Sequence, residues 1–249
     1  MDMENKVFEK KPCMRFKLTN KKPSLFESKV GGVCYIPHDG DVPKGGNGVK
    51  MQFLAQVDCA DIDLEDFPKR GLLQFWILED DLGLGWEKPN DDTTYRVIYY
   101  SEVDHTVTVD EVESKLEPVD DEDYFPVKGE YGMVFEKVMD ENYVYTDEEI
   151  EASFTDESIV LKENNSHKIG GFPYFTQEDP REYSEEYAEY SVLLFQLDSD
   201  YPDPDSDDDL DEYDYKVMWG DAGVGNFFIK PEKLKALDFS DILYNWDCC

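Results

Sequence analysis

The sequence predicts an α+β fold dominated by antiparallel sheet, internally duplicated about an approximate two-fold axis, with few and peripheral helices. Three observations lead there. The chain of 249 residues contains itself twice. Ser28-Lys29-Val30-Gly31-Gly32-Val33-Cys34-Tyr35 returns as His167-Lys168-Ile169-Gly170-Gly171-Phe172-Pro173-Tyr174, Leu54–Asp58 returns as Leu194–Asp198, and Gln74–Ile77 returns loosely as Asn226–Ile229. Most apolar segments are short, rich in β-branched and aromatic residues and bounded by Gly, Pro or Asp, which is strand composition. Helical patterns are few and brief. The sum is mostly sheet with helices at its margin.

Taken in order, residues 1–22 form a polar lead-in with one strand at Met14–Leu18. Pro23 and Ser24 open a turn at Leu25–Glu27, and Gly31-Gly32 ends it, because paired glycines reach positive φ. Residues 38–49 are a glycine-rich loop. Met51–Val57 alternates as a strand, Asp61–Asp66 suits a short helix before Pro68, and Leu72–Leu78 is apolar enough for a strand buried on both faces. A polar loop fills Asp80–Asp92. Tyr95–Tyr100 and Thr106–Val109 read as strands, and Asp110–Asp123 as an acidic surface linker. Gly132–Val138 is a further strand. Thr146 with Glu149 forms a capping box for a helix reaching Phe154. In the second copy, Pro180–Tyr190 reads as helical. Val192–Leu197, Tyr215–Trp219 and Asn226–Ile229 read as strands around a charged loop at Tyr201–Tyr213. Pro231 opens a terminal helix. Each copy holds too few patterned residues to bury a core alone. One globular domain over 1–249 is therefore expected, made of repeats at about 24–110 and 160–249 joined by the acidic linker.

Composition narrows the function classes. Hydrophobic residues at 40% and aromatics at 14% are too abundant for a disordered chain. The formal charge of −35 repels phosphate backbones and anionic bilayers, so nucleic-acid and membrane partners are not expected. The same field raises encounter rates with a basic protein. Solubility alone is the competing account of the charge. The five cysteines, at 13, 34, 59, 248 and 249, show neither a disulfide framework nor zinc spacing. No run reaches the about 18 apolar residues of a membrane span. A cytoplasmic, reduced setting is the expectation.

Four constellations carry candidate chemistry. Lys29 and Lys168 precede the Gly-Gly pairs, and Gln56 and Gln196 occupy equivalent strand positions. They form a candidate pair of symmetric ligand- or partner-binding sites, with the lysines opposite Asp58 and Asp198. The competing reading is that each glutamine satisfies the backbone of its own Gly-Gly loop. Val33 and Phe172 stand where a phosphate loop needs Lys and Ser/Thr, which favours turns. Trp219 beside Asp221, with the ring-rich runs Tyr95–Tyr100 and Tyr183–Tyr190, marks a candidate aromatic binding face, against core rings plus exposed tyrosines on an acidic helix. Asp198, Asp200, Asp203 and Asp205 are candidate ligands for a calcium ion, against a solvated acidic loop, since EF-hand glycine and glutamate positions are missing. No nucleophile elbow occurs, and His38, His105 and His167 lack metal spacing. No catalytic residue is assigned.

The ordered set Lys29–Gly32 with Pro37, Phe53–Asp58, Gly71–Ile77, Lys168–Gly171, Leu193–Asp198, Met218–Gly223, Phe227–Ile229 and Asp247-Cys248 resembles the YwqG-like family of bacterial proteins, from about residue 25 to 249. The resemblance implies a duplicated mixed α/β architecture and supplies no active site. The favoured expectation is a non-enzymatic interaction protein that presents an acidic surface to a basic macromolecule, of the immunity or nucleic-acid-mimic type. The alternative is a small-ligand or divalent-cation protein, or an enzyme, with a site between the repeats.

Overall fold

The computed structural model describes residues 7–78, 93–116, 125–156, 159, 161–200 and 215–248. Loops expected at Asp80–Asp92 and Tyr201–Tyr213 lie outside the described residues, as does most of the acidic linker beyond Leu116. Among the described residues no helix is long and apolar enough to cross a membrane.

The strands are β1 (Val7–Thr19), β2 (Lys29–Gly31), β3 (Gln52–Asp58), β4 (Leu72–Ile77), β5 (Tyr95–Tyr100), β6 (Glu130–Tyr143), β7 (Lys168–Gly170), β8 (Val192–Asp198), β9 (Val224–Ile229) and β10 (Ile242–Asp247). They form one ten-stranded sheet in the order β10-β9-β8-β7-β1-β6-β2-β3-β4-β5. Every ladder between these strands is antiparallel. The long β1–β6 ladder forms the spine. On one side β2 to β5 form a wing; on the other β7 to β10 form a second wing in the same succession. Both wings carry a register shift at matching places, between Phe53 and Ala55 and between Leu193 and Phe195. The helices are short: α1 (Val109–Glu113), α2 (Asp147–Thr155), α3 (Glu185–Ala188) and α4 (Pro231–Lys235).

The sheet curls until its outermost strands approach, and the Tyr95 hydroxyl on β5 donates to the Ile242 carbonyl on β10. The concave side encloses the main core, to which both wings contribute. Phe75 of β4 stacks on Phe195 of β8 at 4.4 Å between centroids, and Phe227 of β9 lies 5.0 Å from Phe75. Neighbouring side chains on these strands point outward and are covered as well. Trp76, Phe53 and Leu72 pack beneath Tyr35 and Leu25 on the first wing. Phe228, Leu193 and Leu243 pack with Tyr190 on the second. Two-sided burial is why β4 and β9 are apolar almost throughout: all six residues of each are buried.

Several local expectations change. The helix expected at Asp61–Asp66 is replaced by a 3₁₀ turn at Cys59–Asp61, because Asp58 accepts from the Ala60 amide and caps it early. Thr106–Val109 is no strand: Thr108 accepts from the Glu111 amide and opens α1, so part of the expected linker is helical. The Thr-x-x-Glu pattern that marks α2 at Thr146, where the full capping box forms, is present here too. Pro180–Tyr190 divides into a 3₁₀ turn at Pro180–Glu182 and α3. Tyr215–Trp219 makes only isolated bridges, Val217 facing Val127 and Asp200. Strand β1 extends well beyond Met14–Leu18, since exposed Lys10 and Lys17 dilute its apolar alternation.

Candidate functional site

The polar groups repeated in the sequence converge at two stations where each wing joins the spine. Strands β2 and β7 end in the Gly-Gly pairs, and all four glycines take positive φ: 65° and 73° at Gly31 and Gly32, 70° and 74° at Gly170 and Gly171. The second glycine of each pair touches an acidic side chain of β6. A Cβ on Gly32 would lie 2.4 Å from the Glu130 Cγ, and one on Gly171 would lie 2.5 Å from the Asp140 Oδ2. These are the acids that receive the buried lysines. Lys29 Nζ donates to Glu130 Oε1 at 2.9 Å and to the Val33 carbonyl at 2.8 Å. Lys168 Nζ donates to Asp140 Oδ2 at 2.9 Å. Asp140 also accepts from Arg15 Nη2 at 2.6 Å and from the Phe172 amide at 2.9 Å. The expected pairing of the lysines with Asp58 and Asp198 is thus corrected to Glu130 and Asp140. Asp58 and Asp198 instead have their own amides held from across the strand, by Ser28 Oγ at 2.8 Å and His167 Nδ1 at 3.1 Å.

Gln56 and Gln196 are fully buried and matched in role. Gln56 Oε1 accepts from the Tyr35 amide, and its Nε2 donates to the Leu25 and Glu27 carbonyls. Gln196 Oε1 accepts from the Tyr174 amide, and its Nε2 donates to the Asn164 and Ser166 carbonyls. Both glutamines therefore spend their hydrogen-bonding capacity on the backbone of the connection that carries the Gly-Gly pair. Gln196→Leu keeps the volume and removes a hydrogen bond from three backbone groups. It is expected to cost about 2–3 kcal/mol, read from urea unfolding at pH 7. A cost under about 0.5 kcal/mol, the range of a surface change, would contradict that role.

The wings differ one strand further out. In the first, Gln74 Nε2 reaches both the Tyr35 carbonyl and Gln56 Oε1, and its Oε1 accepts from the Trp76 indole. In the second, the shorter Asn226 reaches the Tyr174 carbonyl only, and Phe228 replaces the indole donor. The buried Asn226 Oδ1 accordingly has no hydrogen-bond partner among the described residues.

Trp219 corrects the expected aromatic face. It is wholly buried, lies 6.1 Å from the Trp246 ring, and rests against Gly225, where a Cβ would sit 2.3 Å from the indole. Asp221 is exposed on the turn that follows. Of the four aspartates proposed for a cation, Asp203 and Asp205 lie outside the described residues. Asp200 Oδ2 lies 3.9 Å from His167 Nε2. Among the described residues no group of three His, Cys, Asp or Glu side chains is placed to hold a metal ion.

Burial pushes the Asp198 carboxyl up to about 6, against the opposing pull of His167, the Ser199 amide and Lys168. Between the unfolded value of about 3.9 and that value, the folded chain holds more protons than the unfolded one, so this group's contribution falls as pH rises through the window. Asp198→Asn is expected to raise the melting temperature at pH 7 and to be close to neutral at pH 4. A lower melting temperature at pH 7 would contradict the burial argument. Three buried thiols are held away from the reactive thiolate form: burial pushes Cys13 and Cys59 up to about 12 and raises Cys34 too.

A family model described as a domain of unknown function, DUF1963, matches residues 28–248 of the chain. No curated protein matches it.

Proposed function

The chain belongs to the DUF1963 family, a domain of unknown function, and from that premise we propose that it is a non-enzymatic, cytoplasmic interaction protein whose acidic surface receives a basic macromolecular partner. One observation carries this reading: the lysines and glutamines repeated in the sequence are bound by the protein's own carboxylates and backbone. Lys29 and Lys168 tie the wings to β6, and Gln56 and Gln196 hold the backbone of the connections that carry the Gly-Gly pairs. What remains for recognition is the surface, and the sequence charge is −35. Such a field draws in basic proteins and disfavours nucleic acid and anionic membrane.

The alternative, a ligand site between the two repeats, is less well supported. The rings of Phe75, Phe195 and Phe227 occupy the space where the wings meet. A calcium ion held by Asp198, Asp200, Asp203 and Asp205 stays a secondary reading. We also infer that both wings descend from one ancestral copy and fold as a single domain of two repeats. The matched bulges and Gly-Gly dihedrals support that descent, as does the resemblance to the YwqG-like family.

The test is capture of partners at low and at moderate salt. The expected result is a specific basic protein retained at low salt and released as salt rises. No specific partner at either salt would sink the proposal. Charge reversal across Asp198–Asp214 that leaves the biology unchanged would favour solvation as the sole role of that loop.

A further inference from the structure

Beyond the two stations, the second wing carries an open groove of about 1300 Å³. One wall is the end of β6 with α2; the other is the segment after the second Gly-Gly pair, up to Tyr183. Its volume exceeds the about 300–1,000 Å³ of small-molecule pockets, so it suits an extended chain.

Its chemistry is aromatic and acidic together. Tyr143 and Tyr145 lie parallel on one side, 6.3 Å between centroids. Tyr183, which is 54% exposed, stands on the other. Among the described residues, Glu163, Glu178 and Glu182 are exposed lining residues, against a single lining cation, Lys162. Asp179 is neutralised by Arg181, which grips it through Nε and Nη2 at 2.6–3.1 Å. The Tyr183 phenol is held above its usual range by burial first and then by the neighbouring Glu178, Asp247 and Asp179 carboxylates.

The protein already uses this chemistry on itself. Lys162 Nζ sits over the Tyr143 ring at 5.4 Å. Arg181, while bound to Asp179, stacks on Phe228 at 4.5 Å. A guanidinium held edge-on by carboxylate and face-on by a ring is the arrangement that separates arginine from lysine.

We propose that this groove docks an extended, arginine-bearing segment of a partner protein, with guanidinium groups laid on Tyr183 and Tyr145 and bound by Glu178 and Glu182. The inference rests on the interaction reading above and names its surface and the partner's recognition element.

The test uses the full chain and a fluorescent nona-arginine peptide, followed by anisotropy at low salt. Matched peptides carry lysine, or citrulline, which keeps the shape of arginine without its charge. Glu178→Lys/Glu182→Lys is expected to weaken binding at least about tenfold, a change of about 1.4 kcal/mol. Tyr183→Leu is expected to weaken it about threefold and to narrow the preference for arginine over lysine. Asp110→Lys/Glu113→Lys, an equal charge change on the exposed face of α1 in the other wing, is expected to stay within about twofold. Melting curves for each variant separate unfolding from lost binding, and Tyr183→Phe, which keeps the ring, should bind as the parent does. Equal weakening by the α1 pair and the groove pair overturns the groove and leaves the interaction reading intact. Citrulline or lysine peptides binding as tightly as arginine overturn the guanidinium. No binding by the parent chain overturns both readings.

Discussion

Asp140→Ala is expected to cost about 3–5 kcal/mol of folding stability at pH 7, the range for removing one partner of a buried ion pair. Asp140 and Lys168 have fully buried side chains, while Arg15 reaches solvent on one side. Asp140 accepts from Lys168, Arg15 and the Phe172 amide at once. Its removal strands an ammonium in the interior and releases the loop that follows Gly171. The corresponding change in the first wing, Glu130→Ala, should cost about 1–2 kcal/mol: Glu130 is partly exposed, and Lys29 keeps the Val33 carbonyl. Lys168→Met on the Asp140→Ala background should recover part of the loss, because the stranded charge goes with it. Urea unfolding of the four chains decides the matter; equal costs at Asp140 and Glu130 would remove the distinction between the stations.

The same residue has a pH signature. Burial alone would raise the Asp140 carboxyl, but the Lys168 charge, the Phe172 amide and the side-chain hydrogen bonds from Lys168 and Arg15 outweigh it and hold it below the usual carboxylate range. A depressed acid contributes stability that is present above its unfolded value, about 3.9, and lost as pH falls through the folded value. The gap between the parent chain and Asp140→Ala should therefore narrow once pH drops below about 4.

Gly31→Ala is the second large expected loss, about 2–5 kcal/mol, the sum of left-handed strain and overpacking. Its φ is 65°, and a Cβ there would lie 2.2 Å from the Gly129 carbonyl oxygen and 2.7 Å from Val127 Cγ1. The first obstacle is backbone, which has no rotamer to yield. Gly48 supplies the control: its φ is 80°, yet nothing lies within 4 Å of its Cβ position. Gly48→Ala should cost only the conformational strain, about 1 kcal/mol. If the two substitutions cost the same in denaturant unfolding, close approach at Gly31 is not what requires the glycine.

The contrast between these positions bears on what was readable beforehand. The Gly-Gly pairs, the two-sided apolar strand β4 and the capping box at Thr146 are local, and each left a mark in adjacent residues. The three-residue strands β2 and β7 left none as strands, because a segment that short ending in glycine has no periodicity to detect. Strand β10 carried a signal in Ile242–Trp246 that the terminal-helix reading passed over. Tyr215–Trp219 has strand composition, yet Val217 makes only bridges; composition reports an apolar site, and ladder geometry decides whether it pairs. Trp219 is the same case at the level of one ring: an indole beside an exposed aspartate is buried because Gly225 leaves room for it.

By itself the sequence determined that the Gly-Gly pairs are turns, that the strand at Leu72–Leu78 is apolar on both faces, and that two stretches of the chain share one pattern; these follow from local sterics and from solvent exclusion along neighbouring residues. Only the tertiary structure decided which of the 59 acidic residues meet the buried lysines. Glu130 and Asp140 both sit on β6, outside either repeated block, and reach Lys29 and Lys168 across the β2–β6 ladder and the β6–β1–β7 ladders. Long-range register brings those charges together, and register depends on the packing of the whole sheet.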